Sequence, residues 1–288
     1  MTAINKNKGF TLIEIMIVLA ISGIFMGALY QVFNSQQKSY MIQEDVASMQ
    51  QSIRAAMMML TDDIRMAGYD SQLTDLFGIT DIRPRDIANN VDTGINGNSS
   101  IQFTEDLDDN GLIGGGETIQ YSVYDFIASD QNLDLGRDSG SGRRLLAENI
   151  LAFGLAFAFD NDFDDELDTY TAANPGATQN IIWAVDSDGD NDLDTNLDTN
   201  LDGVIDINDS PGGLGTNGII GGVALASDVP ISSIRAVRVW LLAETDRPET
   251  GPNATITYVI GKYVRTPNNN NRKIRLLTAT IQCRNLGL

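Results

Sequence analysis

The sequence predicts an α+β protein, with one long N-terminal helix packed on an antiparallel β-sheet head that carries calcium-binding-type loops. Three observations predict this class. The first is an apolar segment followed by an amphipathic helical stripe, with no proline between residues 10 and 83. The second is a later region of short β-rich stretches separated by Gly, Asn and Asp. The third is that no helical crossovers separate these stretches, which disfavours a parallel doubly wound sheet.

Composition excludes several classes of function. The 288 residues include 19 Lys+Arg, 39 Asp+Glu, no His and one Cys, for a formal net charge of −20. Without His there is no Ser-His-Asp or Cys-His catalysis and no His-containing zinc or haem site. The acid excess repels phosphate backbones, so nucleic acid is not an expected partner. The lone Cys283 is expected to be a buried thiol or, in an oxidising compartment, part of an intersubunit bridge.

The N-terminus has the pattern of a leader followed by a membrane anchor. Residues 1–9 are polar, and their charges are Lys6 and Lys8. The predicted transmembrane segment, residues 10–35, begins with 21 residues from Phe10 to Tyr30 that would span about 31 Å as a helix. Lysines lie before this run and none lies just after it, so we expect a single pass through the inner membrane, with the head periplasmic or extracellular. A cleaved secretory signal is the alternative; the run is too long for one, and no small-residue cleavage site follows it.

The helix is predicted to continue beyond the membrane to about Ala67. Residues 36–68 form its amphipathic half, and Gly68 is a natural C-terminal stop. Residues 69–288 form the head. The apolar stripe of the amphipathic half has steps of three and four residues and consists of Ile42, Val46, Met49, Ile53, Met57, Leu60 and Ile64.

The segment Lys8-Gly-Phe-Thr-Leu-Ile-Glu14 resembles the class III signal of type IV pilins and pseudopilins. The resemblance implies cleavage by a prepilin peptidase between Gly9 and Phe10, and methylation of the new N-terminus. It also implies that Glu14 pairs with the N-terminal amine of a neighbouring subunit during assembly. The physics agrees, because a carboxylate within an apolar membrane segment is costly unless a cation accompanies it.

Two further segments resemble PilW-type minor pilins, which are relatives of the J-type pseudopilins of type II secretion. They are Leu60–Tyr69, at the end of the long helix, and the C-terminal Ile281–Leu286. The resemblance implies a non-enzymatic minor pilin of type IV pilus assembly, whose partners are other minor pilins, the major pilin and prepilin peptidase. A J-type pseudopilin and a calcium-dependent adhesin at the pilus tip are the alternatives. A membrane-anchored carboxylate hydrolase is disfavoured, because nothing singles out a general acid among so many acidic residues.

The head is predicted to contain seven strands, with surface loops at residues 72–100 and 129–144. The predicted strands are Ser100–Thr104, Glu117–Ile127, Ile150–Phe159, Ile181–Val185, Ile234–Glu244, Thr255–Arg265 and Arg272–Cys283.

One acidic loop has the spacing of a twelve-residue EF-hand calcium loop. Residues 106–117 place oxygen-bearing side chains at loop positions 1, 3 and 5, a backbone carbonyl at 7 and a glutamate at 12. The expected ligands are Asp106, Asp108, Asn110, Leu112 and Glu117. The flanking segments are strand-like, so we expect a calcium loop at a hairpin tip. A plain solvated Asp/Asn turn is the alternative.

Further acidic segments predict a second Ca²⁺ site and leave a third open. In residues 198–209 the expected ligands are Asp198, Asn200, Asp202, Val204 and Asp209, where the shorter Asp at position 12 usually weakens binding. Weaker candidates are Asp186, Asp188, Asp190, Asp192 and Asp194, together with Asp160, Asp162 and Asp164. Calcium is favoured over magnesium, which demands tighter octahedral geometry.

Overall fold

The structure is a computed structural model that describes residues 9–85, 98–126, 132–170, 179–210, 220–248, 256–267 and 271–286. Nearly all of the predicted leader therefore lies outside the described residues. The chain divides into two compact units, Met1–Ala47 and Ser48–Leu288.

The first element is α1, Leu12–Met66, a single helix of 55 residues. It begins two residues after the predicted start and ends one residue before the predicted end. Within the second unit the helix buries one stripe with the predicted spacing. That stripe consists of Met49, Ile53, Ala56, Met57, Leu60 and Ile64. Gly68 follows the last turn with φ +78°, a left-handed conformation that glycine adopts without strain.

Five strands form the first sheet, in the order in which they occur along the chain. All neighbouring pairs are antiparallel, so this sheet is a meander. Its strands are β1 (Ile79–Asp81), β2 (Ile101–Thr104), β3 (Thr118–Tyr124), β4 (Asp134–Asp138) and β5 (Arg143–Ala147).

Six strands form the second sheet, in the order β11-β10-β9-β6-β12-β15, and again every pair is antiparallel. The long strands β6 and β12 are its centre. The strands are β6 (Ile150–Phe159), β9 (Ala184–Val185), β10 (Asp192–Asn196), β11 (Val223–Pro230), β12 (Ile234–Glu244) and β15 (Ile274–Gln282). Two small hairpins complete the fold: β7 (Thr169–Tyr170) with β8 (Asn180–Ile181), and β13 (Tyr258–Ile260) with β14 (Tyr263–Arg265).

The main hydrophobic core of the second unit is shared by the helix stripe and one face of each sheet. Leu60, Phe103 of the first sheet and Phe153 of the second are all fully buried in it. A second core lies on the opposite face of the six-stranded sheet, where Ile260 and Val264 of the β13–β14 hairpin are buried with Trp240. Because β6 is covered on both faces, it is apolar over its whole length. The predicted α+β class, a long helix packed on antiparallel sheets, is confirmed.

The helix end is attached to the first sheet by a polar cluster. Asp63 accepts hydrogen bonds from the hydroxyl of Tyr121 at 2.6 Å and from Nε of Arg137 at 2.5 Å. Burial, followed by the contact with Asp63, raises the pKa of Tyr121 far above its usual value, so this hydroxyl stays protonated and donates. The ion pair fixes the last turns of the helix against β3 and β4.

Four features of the predicted strand pattern were wrong. Residues 129–144, expected as a surface loop, contain β4 and the start of β5, and residues 72–100 contain β1. The predicted single strand Thr255–Arg265 is the β13–β14 hairpin, which turns at Gly261 with φ +58°. The predicted single strand Ile181–Val185 is divided between β8 and β9, which belong to different sheets. β10 and β11 were not predicted as strands: the residues of β10 were assigned to an acidic loop, and no strand was expected over residues 223–230.

Candidate functional site

The candidate assembly residue Glu14 takes part in a capping box at the start of α1. The backbone N–H and the hydroxyl of Thr11 each donate to one Glu14 carboxylate oxygen at 2.8 Å, and the Glu14 N–H donates to the Thr11 hydroxyl at 3.3 Å. Glu14 therefore satisfies helix donors within its own chain. Gly9 and Phe10, the predicted cleavage residues, are exposed, and Phe10 is 86% exposed. Lys8 lies outside the described residues.

The apolar part of α1 exposes its large side chains to the surroundings. Among them are Leu12, Ile17, Leu19 and Phe25, each more than half exposed. This helix is long and apolar enough to cross a membrane, by length and composition. An exposed apolar surface of this extent is unfavourable in water, since each Å² of apolar surface removed from water is worth about 25 cal/mol.

The acidic loop at residues 106–117 connects β2 and β3, at a hairpin tip. The Asp106 carboxylate accepts from the backbone N–H groups of Asn110 (3.0 Å) and Gly111 (3.1 Å). Glu117, at position 12, accepts from Leu107 at 2.9 Å and from Gly114. The carboxylates at the two ends of the loop thus accept hydrogen bonds from the backbone between them, and these bonds hold the loop in a compact turn.

Three carboxylates of this loop could hold a metal ion. One oxygen each of Asp106, Asp108 and Glu117 lies within 4.8 Å of the others, and Asp106 and Glu117 are buried. Asn110, at position 5, accepts from the Leu112 N–H at 2.7 Å, so the amide also lies in the turn. Burial acts to raise the pKa of Asp106, but hydrogen bonds from Ser71 and from the backbone outweigh it and leave this pKa below its usual value. Asp106 is therefore a charged carboxylate at neutral pH.

The loop at residues 198–209 repeats this hydrogen-bond pattern position for position. Asp198, at position 1, accepts from the N–H groups of Asp202 and Gly203, at 3.2 and 2.7 Å. Asp209, at position 12, accepts from those of Thr199 and Asp206, at 2.8 and 2.7 Å. The left-handed residues also recur, with positive φ at position 4 (Asp109 and Leu201) and position 6 (Gly111 and Gly203). Two segments that differ in sequence adopt one loop geometry.

The 198–209 loop differs from the first in its donor chemistry. Its third position is Asn200, an amide, whose nitrogen donates to Asp202 at 3.0 Å. Val204, at position 7, offers a backbone carbonyl, as Leu112 does in the first loop. Within residues 198–209, no three carboxylate oxygens from different residues all lie within 4.8 Å of one another.

The two remaining acidic loops are shorter versions of the same turn. Residues 160–168 follow β6, and residues 186–194 follow β9 and include the start of β10. Each contains a group of three carboxylates within 4.8 Å: Asp160, Asp162 and Asp164 in one, and Asp186, Asp188 and Asp190 in the other. Each also has positive φ at positions 4 and 6, namely Phe163, Asp165, Gly189 and Asn191.

In these short loops an aspartate at position 9 takes the closing role of position 12. Asp168 accepts from the N–H of Asn161, at position 2, at 3.1 Å. Asp194 accepts from the N–H of Ser187, also at position 2, at 3.1 Å. Asp168 was not among the predicted ligands, because the calcium-loop template places the closing acid at position 12. The repeated spacing Asp-x-Asp-x-Asp-x-x-x-Asp in both segments was the signal that identifies it. Asp192 lies at the start of β10, outside the carboxylate group.

Several of these acids are destabilised in their charged form. Burial raises the pKa of Asp186, and it also raises the pKa of Asp198, where the charge of Asp209 adds to the effect. Burial raises the pKa of Asp168, with further contributions from the neighbouring acids Asp162 and Asp160. A bound cation would relieve this repulsion, since carboxylate and carbonyl oxygens are the ligands of hard cations. The donor set therefore fits Ca²⁺.

Two of the loops also connect parts of the head. The side chain of Asn191 accepts from the N–H of Ile82 at 2.9 Å and donates to the carbonyl of Thr80 at 3.1 Å, joining the 186–194 loop to the first sheet. The Ser71 hydroxyl donates to Asp106 at 2.7 Å, joining the 106–117 loop to the segment after the helix. Order in these loops is thus coupled to contacts between the elements of the second unit.

Comparison with known proteins supports the N-terminal motif. The family model for the prokaryotic N-terminal methylation motif matches residues 4–30, which confirms the motif predicted from Lys8 to Glu14. No curated protein matches the chain. Among solved structures, a type IV-like pilin from Thermus thermophilus is 14% identical and aligns with 83% of this chain and 97% of its own, with a TM-score of 0.38.

Proposed function

We propose that the chain is a membrane-anchored, N-terminally processed subunit of a type IV pilin-like filament. The observation that carries this proposal is the methylation motif at residues 4–30. The apolar run from Phe10 to Tyr30 overlaps this motif and contains one acidic residue, Glu14. Prepilin peptidase would remove residues 1–9, and residues 10–35 would anchor the protein in the inner membrane before assembly. The amphipathic half at residues 36–68 would then lead to an exported head at residues 69–288.

Glu14 would carry the assembly step. In the unprocessed chain its carboxylate is held by Thr11, at the N-terminus of the helix. After cleavage, the new N-terminal amine of a neighbouring subunit is a cation of matching charge, and pairing costs less than leaving either ion alone in an apolar filament core. The carboxylate would exchange a local capping contact for an intersubunit ion pair.

Two substitutions at this position test the proposal. Glu14→Gln retains a side chain that functions in a capping box but removes the charge, whereas Glu14→Ala removes both. If the intersubunit ion pair matters, both variants should be processed normally and both should fail to enter filaments, as measured by immunoblotting of sheared filaments. Normal incorporation of Glu14→Gln would refute the ion pair and leave capping as the role of Glu14.

We further propose that Ca²⁺ stabilises the head. The 106–117 loop is the first site, held by Asp106, Asp108, Asn110, Glu117 and the carbonyl of Leu112. The loops that begin at Asp160, Asp186 and Asp198 supply further sites. When bound, the ion would neutralise crowded carboxylates and hold the loop backbones in their closed form.

Within the pilin-like proteins, we favour a PilW-type minor pilin over a J-type pseudopilin. The two segments that suggest this subfamily, Leu60–Tyr69 and Ile281–Leu286, meet in the structure. The amide of Asn285 donates to the carbonyl of Arg65, and a Cβ on Gly68 would overlap the side chain of Leu286. Such a subunit would contact other minor pilins and the major pilin through its helix and its head, as a structural component without catalytic activity.

A further inference from the structure

β15 is an edge strand of the six-stranded sheet and pairs on one side, with β12. Its nine residues run opposite β12 without a register shift. No strand among the described residues pairs with its outer edge. An edge of this kind presents a row of backbone donors and acceptors that can pair with another chain.

The other edges of the two large sheets are protected, and this one is not. Proteins protect edges with short strands, bulges, proline and charged side chains. β1 has three residues and a register shift, and β5 carries Arg143 and Arg144. β11 has a register shift and ends at Pro230. β15 has none of these features from Leu276 to Gln282, a run without charge, proline or glycine.

The segment that forms this edge has basic residues at both ends, and at one end Arg284 lines a cavity with Asp165 and Glu166. Residues 272–286 contain Arg272, Lys273, Arg275 and Arg284 and no acidic residue, although the chain has 39 Asp and Glu. Arg272 forms an ion pair with Glu244 at 2.8 Å. Arg275 and Arg284 are exposed, and they lie nine positions apart, which corresponds to about 30 Å along a strand.

This charge distribution indicates which kind of strand can pair with β15. If two copies of β15 paired antiparallel, the basic ends would face each other, and like charges opposite one another destabilise a strand pair. A strand with acidic residues at both ends would place opposite charges together. The uncharged centre, which contains Thr278 and Thr280, suits β-branched residues on the added strand.

We propose that the outer edge of β15 is an interaction surface that receives an extended strand of a partner protein, with an uncharged centre flanked by acidic residues. The identification of that partner as another filament subunit rests on the proposed function. The surface itself belongs to the second unit and does not require N-terminal processing, so its failure would leave the processing proposal intact.

The test measures peptide binding to the full chain in detergent micelles. The probe is a ten-residue peptide of alternating threonine and valine between two terminal glutamates; in the control peptide, lysines replace both glutamates. Two favourable surface ion pairs predict that the glutamate peptide binds about tenfold more tightly by fluorescence anisotropy. Raising the ionic strength from about 0.05 M to about 0.5 M should reduce this preference. Equal affinities for the two peptides, or no binding of either, would overturn the proposal.

Variants separate this edge from the rest of the head. Thr280→Lys places a charge in the unprotected run at an exposed position and should abolish binding without changing the melting temperature. Ala226→Lys, equally exposed on the opposite edge strand β11, should leave binding unchanged. Arg275→Glu with Arg284→Glu should reverse the preference between the two peptides. Binding that is lost with Ala226→Lys and retained with Thr280→Lys would place the surface elsewhere and refute the assignment.

Discussion

The side-chain amide of Asn285 donates a hydrogen bond to the backbone carbonyl of Arg65 at 3.2 Å, across 220 residues of sequence. A second contact reaches the carbonyl of Met66 at 3.4 Å. The last carbonyls of a helix have no partner within the helix, so the end of the chain here supplies one. Asn285, three residues beyond the end of β15, thereby holds the end of α1 in place.

Asn285→Ala should lower the free energy of unfolding of the head by about 1 kcal/mol, because it removes the side-chain donor to the Arg65 carbonyl, whereas the Met66 carbonyl keeps the N–H of Tyr69. Chemical denaturation of the full chain in detergent micelles measures the change. Arg284→Ala is the matched control, since Arg284 is exposed and adjacent. An equal effect of the two substitutions would show that the Asn285 contact contributes nothing specific.

Calcium should raise the melting temperature of the head. A ligand at one hundred times its dissociation constant stabilises the folded state by about 2.7 kcal/mol per site. EDTA should lower the melting temperature, and added Ca²⁺ should restore it, as followed by circular dichroism. No shift across millimolar calcium would indicate that the loops are solvated turns.

Variants of the closing acids should each remove part of that calcium effect. Glu117→Gln, Asp168→Asn and Asp194→Asn keep an acceptor for the loop N–H groups but remove the charge that a cation needs. Glu148→Gln, at an exposed acid outside the four loops, is the control and should leave the shift intact. A full calcium shift in Asp168→Asn and Asp194→Asn would contradict the closing role that we assign to position 9.

Without metal, the head should become more stable as the pH falls from neutrality toward about 4. Burial raises the pKa of Asp168, Asp186 and Asp198 above 3.8, so in this range the folded state holds protons that the unfolded state has released. Asp106, whose pKa is lowered from 3.8, acts in the opposite direction, and its contribution is lost only as the pH falls through its lower folded value.

Saturating calcium should reverse this dependence, because the ion binds the deprotonated carboxylates. Denaturation curves across this pH range, with EDTA and with calcium, measure both slopes. Identical slopes under the two conditions would contradict the assignment of these acids to metal sites.

Tryptophan fluorescence should report binding at the 198–209 loop. The N–H of Leu197, next to this loop, donates to the carbonyl of Trp183 at 2.9 Å. Arg238 stacks on the Trp183 ring at 4.1 Å from its centroid. Burial lowers the pKa of Arg238, and the charge of Asp198 opposes that effect, so the loop and the arginine interact. Neutralising Asp198 with a cation should therefore alter Trp183 emission.

A calcium titration of the emission spectrum checks this prediction. Trp183→Phe should abolish the change, while Trp240→Phe, which removes the more distant ring at 6.0 Å from Arg238, should preserve it. A change that persists in Trp183→Phe would assign the signal to another site.

The helix and the long strands could be predicted from sequence because their signals are local. The stripe from Met49 to Ile64 follows helical periodicity, and β6 and β12 have the bounds that their apolar runs predicted. The β13–β14 hairpin could not be predicted in this way. It packs closely on Gly154, where a Cβ would lie 2.5 Å from the Ile260 carbonyl oxygen, and this contact joins residues that are distant in sequence.

The candidate site also could be predicted only in part, as the acidic loops show. The twelve-residue spacing identified residues 106–117 and 198–209, because a known loop provides the template. It did not identify Asp168, whose closing contact with Asn161 depends on a backbone that turns left-handed at Phe163 and Asp165. The sequence likewise identified Glu14 as an acidic residue in a membrane segment. It did not predict the capping contact with Thr11, which depends on the helix beginning at Leu12.

The intact mass of the chain after co-expression with a prepilin peptidase tests the central claim most directly. We expect loss of residues 1–9 and the added mass of one methyl group on Phe10. Gly9→Leu is the matched control, since a Cβ at Gly9 meets no atom within 4 Å and the fold should be unaffected, yet cleavage should fail. An unprocessed N-terminus in the wild-type chain would contradict the proposal that this protein is a processed, pilin-like subunit.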